Sequence, residues 1–326
     1  MSLLNRIRDA GENPGKIVLY LVGKGYFNWL PDELYLRMVY RCKIGRSLNL
    51  KKPATFNEKL QWLKLHDRNP LYTKLVDKFK VKRHVADIIG EQHIIPLIGV
   101  YDSAEDIDFN KLPDRFVLKC TSDSGSVIIC TNKAELNVEE TRAKINKHLK
   151  RNYYYHSREW PYKNIKPRII CEEFISDNGE PPKDYKVFCF NGTVKLIVVH
   201  LNRFGEKHTM DFYDVNWEKT SISKNVHGYP KSETTIAEPE NLKQMIILSE
   251  ILSKDKYHVR IDWYEVRGKL YFGEITFFDA SGFMNFDKKE DDLMLGSWID
   301  LPIVNNFRAA GDERTMIPGL LRAKGK

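Results

Sequence analysis

Residues 258–282, H-V-R-I-D-W-Y-E-V-R-G-K-L-Y-F-G-E-I-T-F-F-D-A-S-G, constrain this chain more than any other stretch. They predict two strands, 259–266 and 270–277, closed by a tight turn at Arg267, Gly268 and Lys269. Both arms are aromatic and β-branched, and glycine flanked by polar residues is hairpin chemistry. Two acids interrupt the apolar arms, Asp262 on the first and Glu274 on the second. Antiparallel pairing brings their carboxylates together. Arg260 shares the face of Asp262, and Thr276 that of Glu274, because side chains alternate along a strand. Acids on a mostly apolar hairpin need partners, since an unpaired buried carboxylate is costly. Two readings supply them: a hard cation such as Mg²⁺ held with phosphate and water, or ion pairs to Arg260 and Arg267 on a solvated face.

Other phosphate chemistry lies upstream. Residues 115–119 read as a strand ending in Lys119, followed by the small-residue run Cys120-Thr121-Ser122-Asp123-Ser124-Gly125-Ser126 and a second strand, 127–130. Small residues let backbone N–H groups converge on phosphate oxygens, and lysine adds a point charge. A plain hairpin loop is the alternative. No G-x-x-x-x-G-K-[ST] motif is present. Asp106, Ile107 and Asp108 form a D-x-D triplet, used elsewhere to hold a metal and a sugar nucleotide, but here in a polar connecting stretch that reads as a solvated loop.

Residues 1–66 read as helical, with Thr55 and Glu58 spaced as a capping box. A further helix is expected from 71 to about 89. Strand-like runs follow at 93–101 and 168–175, the second carrying Glu172 and Glu173. Asp184 and Lys186 share one face of a strand at 184–190, and Asn191-Gly192 signals a type I′ turn into a partner strand. Arg203, His208 and Asp211 lie in the continuation. Residues 138–150 predict a basic helix, 151–162 an aromatic lid or platform, and 239–252 a helix leading into the hairpin. Beyond Gly282 the chain reads as loop-rich, with a basic tail at 322–326. The fold class is α+β, with two sheet-containing lobes and a cleft between them. The expected boundaries are a helical segment 1–66, a first lobe 67–170 and a second lobe 171–326.

Composition narrows the partners. Hydrophobic residues make up 42% and charged residues 29% of 326, as in an ordinary globular protein. No apolar run approaches the roughly 18 residues of a membrane span. The first ten residues carry charges too early for a secretory signal. The expected location is the cytoplasm, with a peripheral seat at the inner membrane as an alternative. Five cysteines without CxxC spacing argue against zinc and disulfides. The net charge of +8 suits polyanions such as nucleotides or acidic sugars; no nucleic-acid motif accompanies it.

These motifs, in this order, resemble an ATP-grasp protein, and more narrowly the TupA-like group associated with teichuronopeptide and surface-polysaccharide synthesis. T-F-N-E-K-L-Q-W-L-K with K-L-V-D-K, F-V-L-K-C-T-S-D-S-G, I-I-C-E-E-F-I, R-I-D-W-Y and Y-F-G-E-I-T-F-F-D-A-S-G carry the similarity, over roughly residues 55–310. The resemblance implies that Lys78 and Lys119 contact ATP phosphates. It implies a covering loop of Ser122, Ser124, Gly125 and Ser126, and an adenine hinge at Glu172, Glu173, Phe174 and Ile175. Asp184 would meet the ribose and Lys186 the γ-phosphate. Asp262 and Glu274 would hold Mg²⁺, with Thr276 where the family often has Asn, and Arg260 would steady an acyl phosphate. The implied activity is a carboxylate–amine ligase acting on an acidic sugar or glycan carboxylate and an amino acid or other amine. A phosphotransferase on the same scaffold, a sugar-nucleotide glycosyltransferase using Asp106 and Asp108, and a non-catalytic binding module are the alternatives.

Overall fold

The computed structural model describes residues 14–177, 179, 181–201, 208–223, 230–232 and 235–302. Arg203 and the basic tail at 322–326 lie outside the described residues. The chain opens with helices α1 (Pro14–Gly23) and α2 (Asp32–Ile44), which pack Val22, Tyr35, Leu36, Val39 and Tyr40 into a small core with Phe283. Helix α3 (Phe56–His66) begins at the expected capping box: Thr55 Oγ1 accepts from Glu58 N, and Glu58 reaches back to Thr55 N.

The helix expected over 71–89 is instead two, α4 (Leu71–Val76) and α5 (Lys80–Ile89). Asp77 makes the break. Its backbone is extended, and its Oδ1 accepts from Phe79 N and Lys80 N, replacing intrahelical partners. Lys78 is thereby lifted onto a connector whose N–H donates to Thr121 O at 3.2 Å.

Strands β1 (Leu97–Tyr101), β2 (Phe116–Cys120) and β3 (Ile128–Cys130) follow, then helices α6 (Val138–Leu149) and α7 (Tyr154–Ser157). Strand β4 (Ile169–Glu173) inserts between β1 and β2, giving an antiparallel sheet of order β1-β4-β2-β3. Its buried face packs on α6 through Phe116, Leu118, Cys120, Ile145 and Ile169.

The second sheet is built from β5 (Asp184–Phe190), β6 (Thr193–Leu201), β7 (Thr209–Tyr213), β8 (His258–Val266) and β9 (Lys269–Thr276), in the antiparallel order β7-β6-β5-β8-β9. Asn191 and Gly192 both have positive φ, as the type I′ turn requires, and Arg267 and Gly268 turn the β8–β9 hairpin the same way. Helix α8 (Leu242–Ser253) covers this sheet. Helices α3 to α5 join the same core, while β4 pairs throughout with the first sheet, so lobe membership crosses the sequence boundary at 170.

The stretch beyond Gly282 is not all loop. Helix α9 (Lys289–Ser297) starts with Glu290, Asp291 and Asp292, acids that favour a helix N-terminus. Asp292 accepts from Asn57 N and pairs with Arg46 at 2.5 Å. Gly296 is needed because a Cβ there would lie 2.2 Å from Ala54 O. The five cysteines are free, four of them buried. No helix among the described residues is long and apolar enough to cross a membrane.

Candidate active site

The two sheets face each other across a cleft of about 980 Å³. The first sheet contributes Val117, Lys119, Ile129, Ile170 and Glu172, and the loop after β2 adds Ser124 and Gly125. The stretch after β4 adds Glu173, Phe174 and Ile175; the second sheet adds Asp184, Asp262, Gly273 and Glu274; Lys78 closes the circle. Aliphatic side chains line part of the cleft, and charged groups from both sheets converge on the rest, an arrangement that can hold a ligand and fix its orientation.

The hairpin geometry rests on a β-bulge. From the turn, Val266 faces Lys269 and Trp263 faces Phe272, but Ile261 faces Ile275. Two residues, Gly273 and Glu274, therefore oppose Asp262 alone. A regular hairpin would put Glu274 opposite Ile261, on the other face. The extra residue reverses the parity and turns Glu274 and Thr276 onto the face of Arg260 and Asp262. Gly273 fits this approach: a Cβ would sit 3.1 Å from both Asp262 O and the Tyr264 ring.

Arg260 is the hub of that face. Its Nε and Nη2 hold Asp262 at 2.6 and 2.8 Å, Nη2 also reaches Glu274 Oε1 at 3.0 Å, and Nη1 donates to Asp279. Burial opposes the guanidinium charge, but Asp262 and Asp279 beside it hold it protonated well above its ordinary value. On the neighbouring strand, Lys186 stands opposite Asp262, with Nζ 2.5 Å from Asp262 and 2.9 Å from Asp184. Burial pushes the Asp262 carboxyl up against the pull of Arg260 and Lys186. Thr276 donates to Glu274 Oε1 at 3.2 Å, orienting that carboxylate.

Asp262 and Glu274 on one cleft wall form the oxygen donor set that Mg²⁺ takes together with phosphate and water. Asp262 has both oxygens committed to Arg260 and Lys186. Glu274, with 35% of its side chain exposed and Lys78 3.9 Å away, is the acid best placed to meet a cation in the cleft. No group of three or more His, Cys, Asp and Glu side chains that could hold a metal occurs among the described residues.

On the facing wall, Glu172 lies buried between two lysines: Lys119 Nζ at 2.6 Å and Lys82 Nζ at 2.5 Å. Burial alone would raise its pKa, yet the two ammonium groups hold it down at about 2. Glu172 thus orients Lys119 in the cleft. The loop after β2 is pinned by Asp123, which accepts from Ser126 Oγ at 2.6 Å and lies 2.5 Å from His148 Nδ1; its carbonyl takes Lys78 Nζ. Ser124 and Gly125 remain exposed at the cleft, while Ser122 and Ser126 turn inward. At the hinge, Glu173 N donates to Pro96 O at 3.1 Å, and Phe174 and Ile175 line the cleft just beyond it. The Phe174 ring lies 4.4 Å from the Arg115 guanidinium.

The D-x-D triplet stands outside this cleft. Asp106 accepts from Ser103 N, and Asp108 accepts from Asn110 N and pairs with Lys111, as in capped turns. The aromatic stretch at 151–162 is largely packed: Tyr154 is buried beside Arg158, and Tyr162 is buried against Tyr153, while Tyr155 is exposed. Sequence reasoning assigned no role to Lys82, Asp123 or Asp279. Asp123 and Asp279 sit inside the motifs that carried the resemblance, and Lys82 breaks an apolar helix face between Val81 and Val85, which was the available signal.

A family profile described as TupA-like ATP-grasp matches residues 58–300. The chain belongs to the TupA-like ATP-grasp family. Solved structures similar to it include the D-alanine–D-alanine ligase of Helicobacter pylori, at 14% identity and TM-score 0.40, covering 77% of this chain and 70% of that one. The D-alanine–D-alanine ligase of Bacillus anthracis matches at 17% identity and TM-score 0.36, over 62% of this chain and 57% of that one. A RimK domain ATP-grasp protein of Sphaerobacter thermophilus matches at 13% identity and TM-score 0.37, over 72% and 70%. This chain therefore spans little more than half of the Bacillus ligase. No curated protein matches the chain. The α+β architecture of this family member is the ATP-grasp fold, two sheets clasping one cleft.

Proposed function

We propose that this chain is an ATP- and Mg²⁺-dependent carboxylate–amine ligase. The observation that carries the reading is the meeting, in one cleft, of Lys78 and Lys119 with the Arg260, Asp262 and Glu274 face. ATP would lie with its adenine between the sheets at Phe174 and Ile175, its ribose near Asp184, and its phosphates toward Lys78 and Lys119. Ser124 and Gly125 would cover the triphosphate and exclude water, which otherwise hydrolyses an activated acyl group. Glu274 and Asp262 would hold Mg²⁺, which when bound neutralises charge on the phosphate oxygens.

The reaction balances as two displacements. A substrate carboxylate oxygen attacks the γ-phosphorus, the bond to the β-phosphate oxygen breaks, and an acyl phosphate and ADP result. An amine nitrogen then attacks the acyl carbon, inorganic phosphate leaves, and the amine loses a proton to give the amide. Lys186 and Arg260 add positive charge where negative charge gathers, so the protein's contribution is positioning and electrostatics. The family association supports a uronic acid as the carboxylate and an amino acid as the amine, in surface-polysaccharide synthesis.

The test is ATP binding by calorimetry with and without Mg²⁺, on wild type and Lys119→Ala, followed by phosphate release with uronic acids and amino acids. Mg²⁺-dependent binding lost in Lys119→Ala, with ATP consumption abolished in Glu274→Gln, is expected. Near-normal turnover in Glu274→Gln would overturn the metal assignment, and a stable phosphoester product would replace the ligase by a phosphotransferase.

A further inference from the structure

Residues 14–52 precede the matched family region, and they differ from it in character. They carry eight basic residues (Lys16, Lys24, Arg37, Arg41, Lys43, Arg46, Lys51, Lys52) against Asp32 and Glu33, and so +6 of the chain's net +8. Within them, large apolar side chains stand in solvent: Trp29 is 77% exposed, Tyr26 66% and Tyr20 61%, with Ile17 and Leu34 also exposed. Isolated exposed apolar residues need no explanation, but this many in one short basic stretch do.

The exposure is not a packing failure. Helix α1 buries the stripe containing Val18 and Val22 against α2, and presents Ile17 and Tyr20, one turn apart, on another. The connector from α1 to α2 is held from below by Arg158, which is itself buried. Its Nη2 donates to the carbonyls of Phe27, Asn28 and Leu30 at 3.0–3.1 Å, and its guanidinium lies 4.2 Å from the Tyr35 ring. Tyr35 Oη donates to the carbonyls of Tyr155 and His156, tying α2 to the same aromatic stretch. Trp29 Nε1 donates to Tyr26 O at 3.1 Å. A buried cation spent on the three carbonyls around Trp29 fixes an exposed aromatic display in place. Little conformational entropy remains to be lost when that display meets a surface.

We infer that this face docks on an anionic phospholipid surface. Tryptophan and tyrosine favour the bilayer interface, where an apolar ring body and a polar edge are both satisfied. Arg37 pairs with Glu33 and Arg46 with Asp292, but exposed Lys16, Lys24, Arg41, Lys51 and Lys52 leave the stretch positive, which matches an extended negative headgroup layer better than a protein surface of mixed charge. No described helix can span a membrane, so the segment lies on the bilayer. Phe283 shares the core of α1 and α2 and follows the β8–β9 hairpin closely, so docking would fix the cleft relative to the membrane.

The test uses the full chain and vesicles of phosphatidylcholine alone or with phosphatidylglycerol, in a co-sedimentation assay. Wild type is expected to bind the anionic vesicles at least about tenfold more tightly than the neutral ones. A Tyr20→Ser, Tyr26→Ser, Trp29→Ser variant is expected to lose at least about tenfold of that binding. Its thermal stability and its ATP binding in solution should match wild type, so the inference stands or falls apart from the ligase reading. Failure of wild type to sediment with either vesicle overturns it, as does undiminished binding by the serine variant. Loss of a homodimer in the serine variant without vesicle binding would assign the face to a second copy of this chain, and also overturns it.

Discussion

Replacing Glu172 with glutamine should separate the charge of this residue from its shape. The carboxylate is buried and sits 2.5 Å from Lys82 Nζ and 2.6 Å from Lys119 Nζ. Its pKa, held down at about 2 against an ordinary 4.5, corresponds to roughly 3 kcal/mol of stability at neutral pH. Removing one member of a buried charge group typically costs about 3–5 kcal/mol, because the remaining charges are left unpaired. The two figures agree in size. At roughly 2 °C per kcal/mol for a chain of this length, Glu172→Gln should unfold about 6 °C lower at pH 7. The sign with pH follows from the depressed folded-state value. The contribution is complete above the unfolded pKa and is lost as pH falls toward about 2. Thermal unfolding by circular dichroism from pH 7 down to pH 3 should therefore show wild type converging on the variant. Glu173→Gln, at an exposed neighbour, should stay within about 0.5 kcal/mol of wild type. A Glu172→Gln protein as stable as wild type at pH 7, or a gap unchanged by acid, would refute the bridge.

Two further predictions test the other wall and its support. Gly273→Val should crowd Asp262 O and the Tyr264 ring, now 3.1 Å from where a Cβ would stand, cost roughly 1–3 kcal/mol, and abolish ATP consumption by displacing Glu274; an active, equally stable variant would show that the bulge does not place the acid. Lys64 is buried, donates to Ser157 O at 2.8 Å and Ser281 O at 2.7 Å, and burial lowers its pKa to about 7. The unfolded chain thus holds a proton the folded chain has given up, so stability should rise with pH from about 7 upward. Lys64→Met should flatten that rise, and parallel stability curves for the two proteins would refute the assignment.

The parts legible in sequence were those set by local chemistry. Thr55 and Glu58 announced α3, Asn191-Gly192 and Arg267-Gly268 announced their hairpins, and the motif order announced the family. In sequence Asp77 looks like one more helical residue, because nothing in its neighbours shows that its carboxylate will take two backbone N–H groups and end α4. The helix at 289–297 falls in a stretch that reads as loop-rich, because the value of its first-turn acids depends on Asn57 and Arg46, more than 200 residues away in sequence.

The hairpin is the more instructive case, because its two acids share a face for a reason that simple antiparallel pairing does not supply. Counting by twos from Arg267-Gly268 puts Glu274 on the face opposite Asp262. Only the bulge restores it, and a bulge is signalled by a glycine inside a strand pattern. Gly273 was that signal, directly before the acid it re-aims. The same extra residue lets Arg260 stand opposite Thr276 and gather Asp262, Glu274 and Asp279 around one guanidinium. A backbone irregularity of one residue therefore decides whether this face is a row of unrelated charges or a single site. For that reason the variant at Gly273, which removes no polar group from the cleft, probes the site more directly than removing any one of its carboxylates.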